Sequence, residues 1–219
     1  MKIIVINGSP RANWNTSTLL KKAVEGATSK GAEVEIINLY KLNYKGCIGC
    51  FSCKRKGSKS LYNCAIKDDL TSVFEKIKNA DAVIFGSPVY FYDITGEMRS
   101  FLERLLFPSL PYAKDAISEG TYFPKKLKTA FIYTMGAPDD TYKDEVLGKI
   151  KPMEDFISQI FRLPVKTLYS NNAYQFDDYS KYEASVFDLE DKIKQRDEVF
   201  PIDCEKAFSL GVDLALDKS

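Results

Sequence analysis

The chain has 219 residues, 45% hydrophobic and 28% charged, which is too apolar for wholesale disorder and about the size of one domain with embellishments. Thirty-one basic against thirty acidic side chains leave a net charge of +1, which argues against a general electrostatic grip on nucleic acid or a membrane surface. There is no histidine, so His-based triads, His-ligated haem and His-containing zinc sites are excluded together.

Residues 2–7 are a short β-branched apolar run ending in Asn7-Gly8-Ser9-Pro10, the pattern of a central strand covered on both faces. The run is too short for a signal-peptide core, and no later stretch approaches the ~18 apolar residues of a membrane span. A soluble, cytoplasmic protein is expected. Residues 16–29 carry Leu19, Leu20, Ala23, Val24 and Ala27 at helical spacing, with Gly31 to stop the helix. Residues 33–39 read as a second strand, and 40–67 as an irregular, basic, cysteine-rich segment. Asp68 is placed to cap a helix through Lys78, with Leu70, Val73, Phe74 and Ile77 on one face. A third strand at 82–85 stops at Gly86-Ser87-Pro88, and a helix follows at 96–106. The connection 107–125 is long enough to suggest a lid or an interface loop. Strand four, 129–133, ends in Thr134-Met135-Gly136-Ala137-Pro138. Residues 144–161 are helical with a break or kink near Pro152, 163–169 form strand five, and 181–195 and 203–216 are two terminal helices.

Strands alternating with helices predict an α/β fold: a doubly wound, five-stranded parallel sheet with helices on both faces. No repeat or shift of composition marks a second domain. The expectation is a single domain over 1–219, with a core at about 1–170 and a helical C-terminal extension, 171–219. Ligands of such sheets sit beyond the carboxyl ends of the strands, where the first, third and fourth end in small, turn-forming residues.

The first of these loops, Gly8 to Thr18, is rich in hydroxyl and amide side chains and leads directly into a helix. A helix N-terminus offers unpaired N–H groups and a partial positive charge, which suit a phosphate. Neither a Walker lysine nor a GxGxxG pattern is present, so the loop fits a small terminal monophosphate, with Arg11 supplying charge. An N-cap with a polar turn is the plainer alternative. The second loop holds three consecutive aromatics, Tyr90-Phe91-Tyr92, which suit a planar ligand, a partner subunit or the covering of the sheet edge.

Gly8-Ser9-Pro10-Arg11 with Asn15-Thr16, and Gly86-Ser87-Pro88-Val89-Tyr90-Phe91 followed by Gly96 and Phe101-Leu102-Glu103-Arg104, resemble the NADPH-dependent FMN reductase family. More narrowly, they resemble its multimeric flavodoxin and iron-sulfur flavoprotein branch, over roughly residues 1–170. The resemblance implies a flavodoxin-like fold that binds FMN. Ser9, Arg11, Asn15, Thr16 and Ser17 would hold the phosphate. Pro88, Val89, Tyr90 and Phe91 would line the isoalloxazine, and Thr134, Met135 and Gly136 would close the third side. Trp14 is a departure, because members of the family commonly have Gly there. The implied chemistry is hydride transfer from NAD(P)H to the flavin, with electrons passed on to a quinone, flavin, azo dye or protein acceptor. The flavin carries this chemistry, so no side-chain catalyst is assigned. The family often forms a homodimer or homotetramer.

The spacing Cys47-x2-Cys50-x2-Cys53-x10-Cys64 sits among Lys54, Arg55, Lys56 and Lys59. Three closely spaced cysteines and a fourth are what an iron-sulfur cluster requires, most simply a 4Fe–4S cluster. Reduced thiols without metal, or zinc, are the alternatives. The cysteines resemble the compact motif of iron-sulfur flavoproteins, although the last gap is longer than usual there. The insert 56–63 either loops out or marks a lost cluster. Cys204 reads as a packing residue. Two other functional classes remain: a flavodoxin-like electron carrier that never meets a nicotinamide, and a thiol-based redox sensor.

Overall fold

A computed structural model describes residues 1–114, 120–138 and 143–216. The elements run β1 (Lys2–Asn7), α1 (Asn15–Thr28), β2 (Glu33–Asn38), α2 (Leu70–Lys78), β3 (Ala82–Tyr90), β4 (Asp93–Ile94) and α3 (Gly96–Leu106). Then come β5 (Lys128–Thr134), α4 (Lys143–Phe161), β6 (Val165–Ser170), α5 (Leu189–Lys194) and α6 (Phe200–Leu216). The main sheet has the order β2-β1-β3-β5-β6 with all pairings parallel, and β4 folds back antiparallel on β3. Counting the parallel strands alone, this is the flavodoxin-like order 2-1-3-4-5, which reverses direction between β1 and β3.

Period-two alternation sends the residues of each strand to opposite faces. Ile3, Val5, Ala82, Ile84, Ala130 and Ile132 meet α1 and α6. Ile4, Ile6, Val83, Phe85, Phe131 and Tyr133 meet α2, α3 and α4. On the first face α1 and α6 cross backbone to backbone. A Cβ on Gly26 would stand 2.0 Å from the Phe208 carbonyl oxygen, and one on Gly211 would stand 1.9 Å from that of Ala23.

The third strand is longer than its apolar run predicts. It continues through Gly86, Ser87 and Pro88, because β5 pairs alongside it as far as Pro88 opposite Thr134. Gly86 lies under Leu20, whose Cδ1 would be 2.6 Å from an added Cβ, so here the glycine serves close packing rather than a turn. The turn comes later, at Phe91-Tyr92 between Tyr90 and Asp93, with φ of +52° and +66°. Two-residue hairpin turns of this hand usually carry Asn or Gly, which hid the hairpin in the sequence.

The terminal helices also differ from expectation. Residues 182–188 are not helical, and α5 starts after Asp188, whose carboxylate accepts from the Glu190 and Asp191 amides at 2.9 and 3.2 Å. A π-turn at Gln195–Val199 joins α5 to α6 and absorbs Pro201, which cannot donate an amide proton. Helix α4 runs through Pro152. Strand β6 starts at Val165, two residues later than the apolar pattern suggests. In the 107–125 connection Thr121 and Phe123 are buried, while 115–119, part of the expected lid or interface loop, lie outside the described residues.

Candidate functional site

A cleft of about 160 Å³, open to solvent on one side, lies beyond the carboxyl ends of β1, β3 and β5. The β1–α1 loop contributes Ser9, Arg11, Trp14, Asn15 and Thr16 to its lining. The end of β3 contributes Pro88, Val89 and Tyr90, and the loop after β5 contributes Thr134, Met135 and Gly136.

Asn7, at the end of β1, organises the first loop. Its Nδ2 donates to Ser17 Oγ at 3.0 Å and to Asn38 Oδ1 at 2.8 Å, and its Oδ1 accepts the Ser9 amide at 3.0 Å. Thr16 and Thr134 share a hydroxyl hydrogen bond of 2.6 Å that joins the first loop to the third. Thr95 Oγ1 donates to the Gly8 carbonyl at 2.9 Å and ties in the second. Helix α1 has no side-chain cap and no acidic residue in its first turn, so its partial positive charge faces the cleft without a neutralising carboxylate. Arg11 is the one charged side chain among the described lining residues.

Of the twelve residues expected to bind the cofactor, ten line the cleft. Ser17 does not: its hydroxyl donates to the Arg11 carbonyl at 2.9 Å, so it shapes the loop from within. Phe91 does not either; it stands at the hairpin tip, 97% exposed. Sequence reasoning missed Asn7 as the organiser, although a polar residue closing an apolar strand was a usable signal. It also missed Ala173, Gln175 and Phe176, which reach the cleft from the C-terminal extension. The extension supports the third loop from behind as well. Lys192, 2% exposed, donates to the Gly136 carbonyl at 2.6 Å and bonds to Asn172 Oδ1, and burial draws its pKa below the ordinary lysine value.

The four clustered cysteines line a second, smaller cavity against α3. The insert 56–63 loops out: the Ser58, Leu61 and Asn63 amides donate to the carbonyls of Arg55, Ser58 and Ser60, and the Tyr62 amide donates to the Cys53 carbonyl. This returns Cys64 to the other three. Arg104, 2% exposed, anchors both ends of the segment. Its guanidinium donates to Asp68 at 2.5 and 3.0 Å, to the Lys45 carbonyl at 3.0 Å and to the Ile66 carbonyl at 3.4 Å. Its Nε donates to Cys64 Sγ at 3.4 Å. Neighbouring Glu103 accepts the Cys47 amide at 3.3 Å. Asp68 Oδ1 also accepts the Leu70 amide at 3.1 Å, but the N-cap of α2 is Asp69, one residue later than expected, and the helix has no side-chain cap. Hydrogen bonds from the Ser52 amide and hydroxyl hold the Cys50 thiol below the usual thiol range, whereas burial pushes Cys53 up. All five cysteines are free, and among the described residues no three His, Cys, Asp or Glu side chains are arranged to hold a metal ion. Cys204 packs, partly buried, against the α1–α6 face.

The strand order and a cleft at its reversal point, with a helix N-terminus on one wall and Pro88, Val89 and Tyr90 on the other, define a flavodoxin-like protein. The sequence model of NADPH-dependent FMN reductases matches residues 1–127, more than half of the chain, and the chain belongs to that family. An iron-sulfur flavoprotein of Methanocaldococcus jannaschii is 38% identical over 104 residues, 48% of this chain and 51% of that protein. One from Archaeoglobus fulgidus is 40% identical over 104 residues, 48% of either chain. The chain thus spans about half the length of the curated relatives it matches. Among solved structures, an NAD(P)H:quinone oxidoreductase from Methanothermobacter marburgensis superposes with a TM-score of 0.70 at 15% identity, over 100% of this chain and 99% of that one. An azoreductase from Bacillus anthracis does so with 0.68 at 15% identity, over 97% and 99%. At these identities the likeness is one of fold. No helix among the described residues is long and apolar enough to cross a membrane.

Proposed function

We propose that the chain is an FMN-dependent oxidoreductase that takes electrons from NAD(P)H and passes them to a quinone, a flavin or a protein acceptor. The two-ended character of the cleft carries this reading. One end offers an uncapped helix N-terminus, hydroxyls and Arg11, which suit a dianionic phosphate. The other offers Pro88, Val89, Tyr90 and Met135, which suit a flat, largely apolar ring. Bound FMN would supply two-electron chemistry, accepting hydride and releasing electrons to the acceptor. Ser9, Asn15 and Thr16 would hold the phosphate, while Asn7 and Ser17 keep their loop in shape. Val89 and Tyr90 would set the ring and shield it from water on one side. The lack of histidine is no obstacle, because hydride transfer needs no side-chain base. Free cysteines fit a reducing compartment, and we place the protein in the cytoplasm. A homodimer or homotetramer would cover the exposed Phe91 tip.

Mixing the flavin-loaded protein anaerobically with NADPH and with NADH tests the reading. Rapid bleaching by either supports the enzyme; bleaching by neither leaves an electron carrier. Thr16→Ala is expected to weaken FMN binding by about 0.5–1.5 kcal/mol, since it removes a phosphate donor and the link to Thr134. Unchanged affinity in a fluorescence titration would count against the cradle.

Cys47, Cys50, Cys53 and Cys64 would hold an iron-sulfur cluster, with Arg104 supplying a hydrogen bond to the Cys64 sulfur. Their shared cavity, the compactness of the insert and the names of the curated relatives support this, and assembly of a cluster would have to draw together thiols that are not here arranged to hold a metal ion. Protein purified without oxygen is expected to contain iron and acid-labile sulfide, and Cys64→Ala to lose both while keeping its flavin. Their absence after reconstitution removes the cluster, and the cysteines then remain as a thiol-based redox sensor.

A further inference from the structure

We propose that residues 173–176 of the C-terminal extension form a strap that makes the cleft selective for a flavin ending at its 5′-phosphate, and that Trp14 latches the strap. The inference rests on the flavin reading above and adds to it the device that chooses among flavins.

Three side chains of the first loop hold the strap. Arg11 Nη1 donates to the Gln175 carbonyl at 2.6 Å. Trp14 Nε1 and Asn15 Nδ2 both donate to the Tyr174 carbonyl, at 3.2 and 2.8 Å. The Arg11 guanidinium lies 5.3 Å from the centre of the Trp14 ring, so Trp14 steadies it as well as contributing its own hydrogen bond. Glycine at position 14 could do neither.

The strap also reaches the third loop. The Ala173 amide donates to the Met135 carbonyl, and the Asn172 amide to that of Ala137, each at 2.8 Å. The Gln175 side chain fills the space beside Gly136, its Nε2 lying 2.1 Å from where a Cβ would be. The strap therefore bridges the two loops and closes the cleft along the side that carries the phosphate cradle.

It is built to stay in place. The Gln175 amide donates to Tyr179 Oη at 3.1 Å, Phe176 stacks on Tyr182 with ring centres 4.3 Å apart, and Arg196 covers the Tyr174 ring at 4.7 Å. A flavin dinucleotide continues from its 5′-phosphate into a second phosphoryl group and an adenosine, and it needs an open path beyond the cradle. Here that path is crossed by backbone tied down on both sides. A flavin mononucleotide needs no such path and is retained behind the strap.

The flavin-free 219-residue chain titrated with FMN, FAD and riboflavin, followed by flavin fluorescence, tests this without any assay of turnover. The native chain is expected to bind FMN at least about 100-fold more tightly than FAD, and Trp14→Gly to cut that ratio by about tenfold, roughly 1.4 kcal/mol. FMN release measured by dilution should quicken in the same variant. Arg196→Ala, which lies behind the strap and outside the cleft, should quicken release while the folded chain keeps its circular dichroism. FAD bound as tightly as FMN by the native chain would overturn the strap and leave the flavin reading standing. So would an FMN-to-FAD ratio that neither variant changes. A native chain that binds no flavin overturns both.

Discussion

Arg104→Met is expected to destabilise the protein by about 3–5 kcal/mol, a large part of the ~5–15 kcal/mol by which a domain of this kind is stable. The reason is the asymmetry of a buried ion pair. The side chains of Arg104 and Asp68 are 1% and 17% exposed, so removing the cation leaves a carboxylate largely cut off from water without its counter-charge. Arg104 also donates to the carbonyls of Lys45 and Ile66, on either side of the cysteine segment, and these acceptors lose their donors together. Urea denaturation should show a lower midpoint, and limited proteolysis should cut first within 45–68. The double variant Arg104→Met with Asp68→Asn should recover part of the loss, because the stranded charge is then gone. A loss below about 1 kcal/mol in the single variant would show that the segment is held by other contacts.

The second large effect concerns the glycine crossing of α1 and α6, where two contributions oppose each other. Alanine in place of a glycine inside a helix ordinarily stabilises by about 0.8–1.0 kcal/mol through helix propensity alone. At Gly26 and Gly211, however, the new methyl would meet a carbonyl oxygen of the facing helix at 2.0 and 1.9 Å. Backbone cannot turn aside as a flexible side chain can, so the helices must separate, at about 1–3 kcal/mol or more. Gly26→Ala and Gly211→Ala are therefore expected to destabilise despite the propensity gain. Gly148→Ala, in α4 with nothing within 4 Å of the added methyl, is expected to stabilise. Thermal unfolding of the three variants reads the sign directly, and a stabilised Gly211→Ala would refute the close crossing. Helix α1 carries the proposed phosphate cradle at its N-terminus, so on that proposal the two destabilised variants should also release FMN faster.

Much of the fold was legible because its determinants are local. The apolar runs of β1, β3 and β5 need burial on both faces, and that need appears in the composition of each run. The helices from α1 to α4 declare themselves by apolar residues at helical spacing. Ten of the expected cofactor residues meet in one cleft because strand ends in a doubly wound sheet are brought together by topology, whatever the detail of each loop. The misses share a cause too. Gly86-Ser87-Pro88 resembles a turn, and only the neighbouring β5 keeps it in the sheet. Ser17 resembles a phosphate donor, and only the path of its own loop turns the hydroxyl to the Arg11 carbonyl.

The sequence by itself determined the sheet class, the polar loop at the start of α1, and the presence of four cysteines in one short segment, because periodicity and residue chemistry are properties of neighbours along the chain. Tertiary structure alone decided that Cys64 returns to the other three cysteines, that Arg104 reaches both flanks of their segment, and that the extension comes back over the first loop. The Trp14 indole and the Tyr174 carbonyl are 160 residues apart in the chain, and no local preference of either residue encodes their hydrogen bond. It exists because α6 packs on α1 and β6 leads the chain back across the end of the sheet.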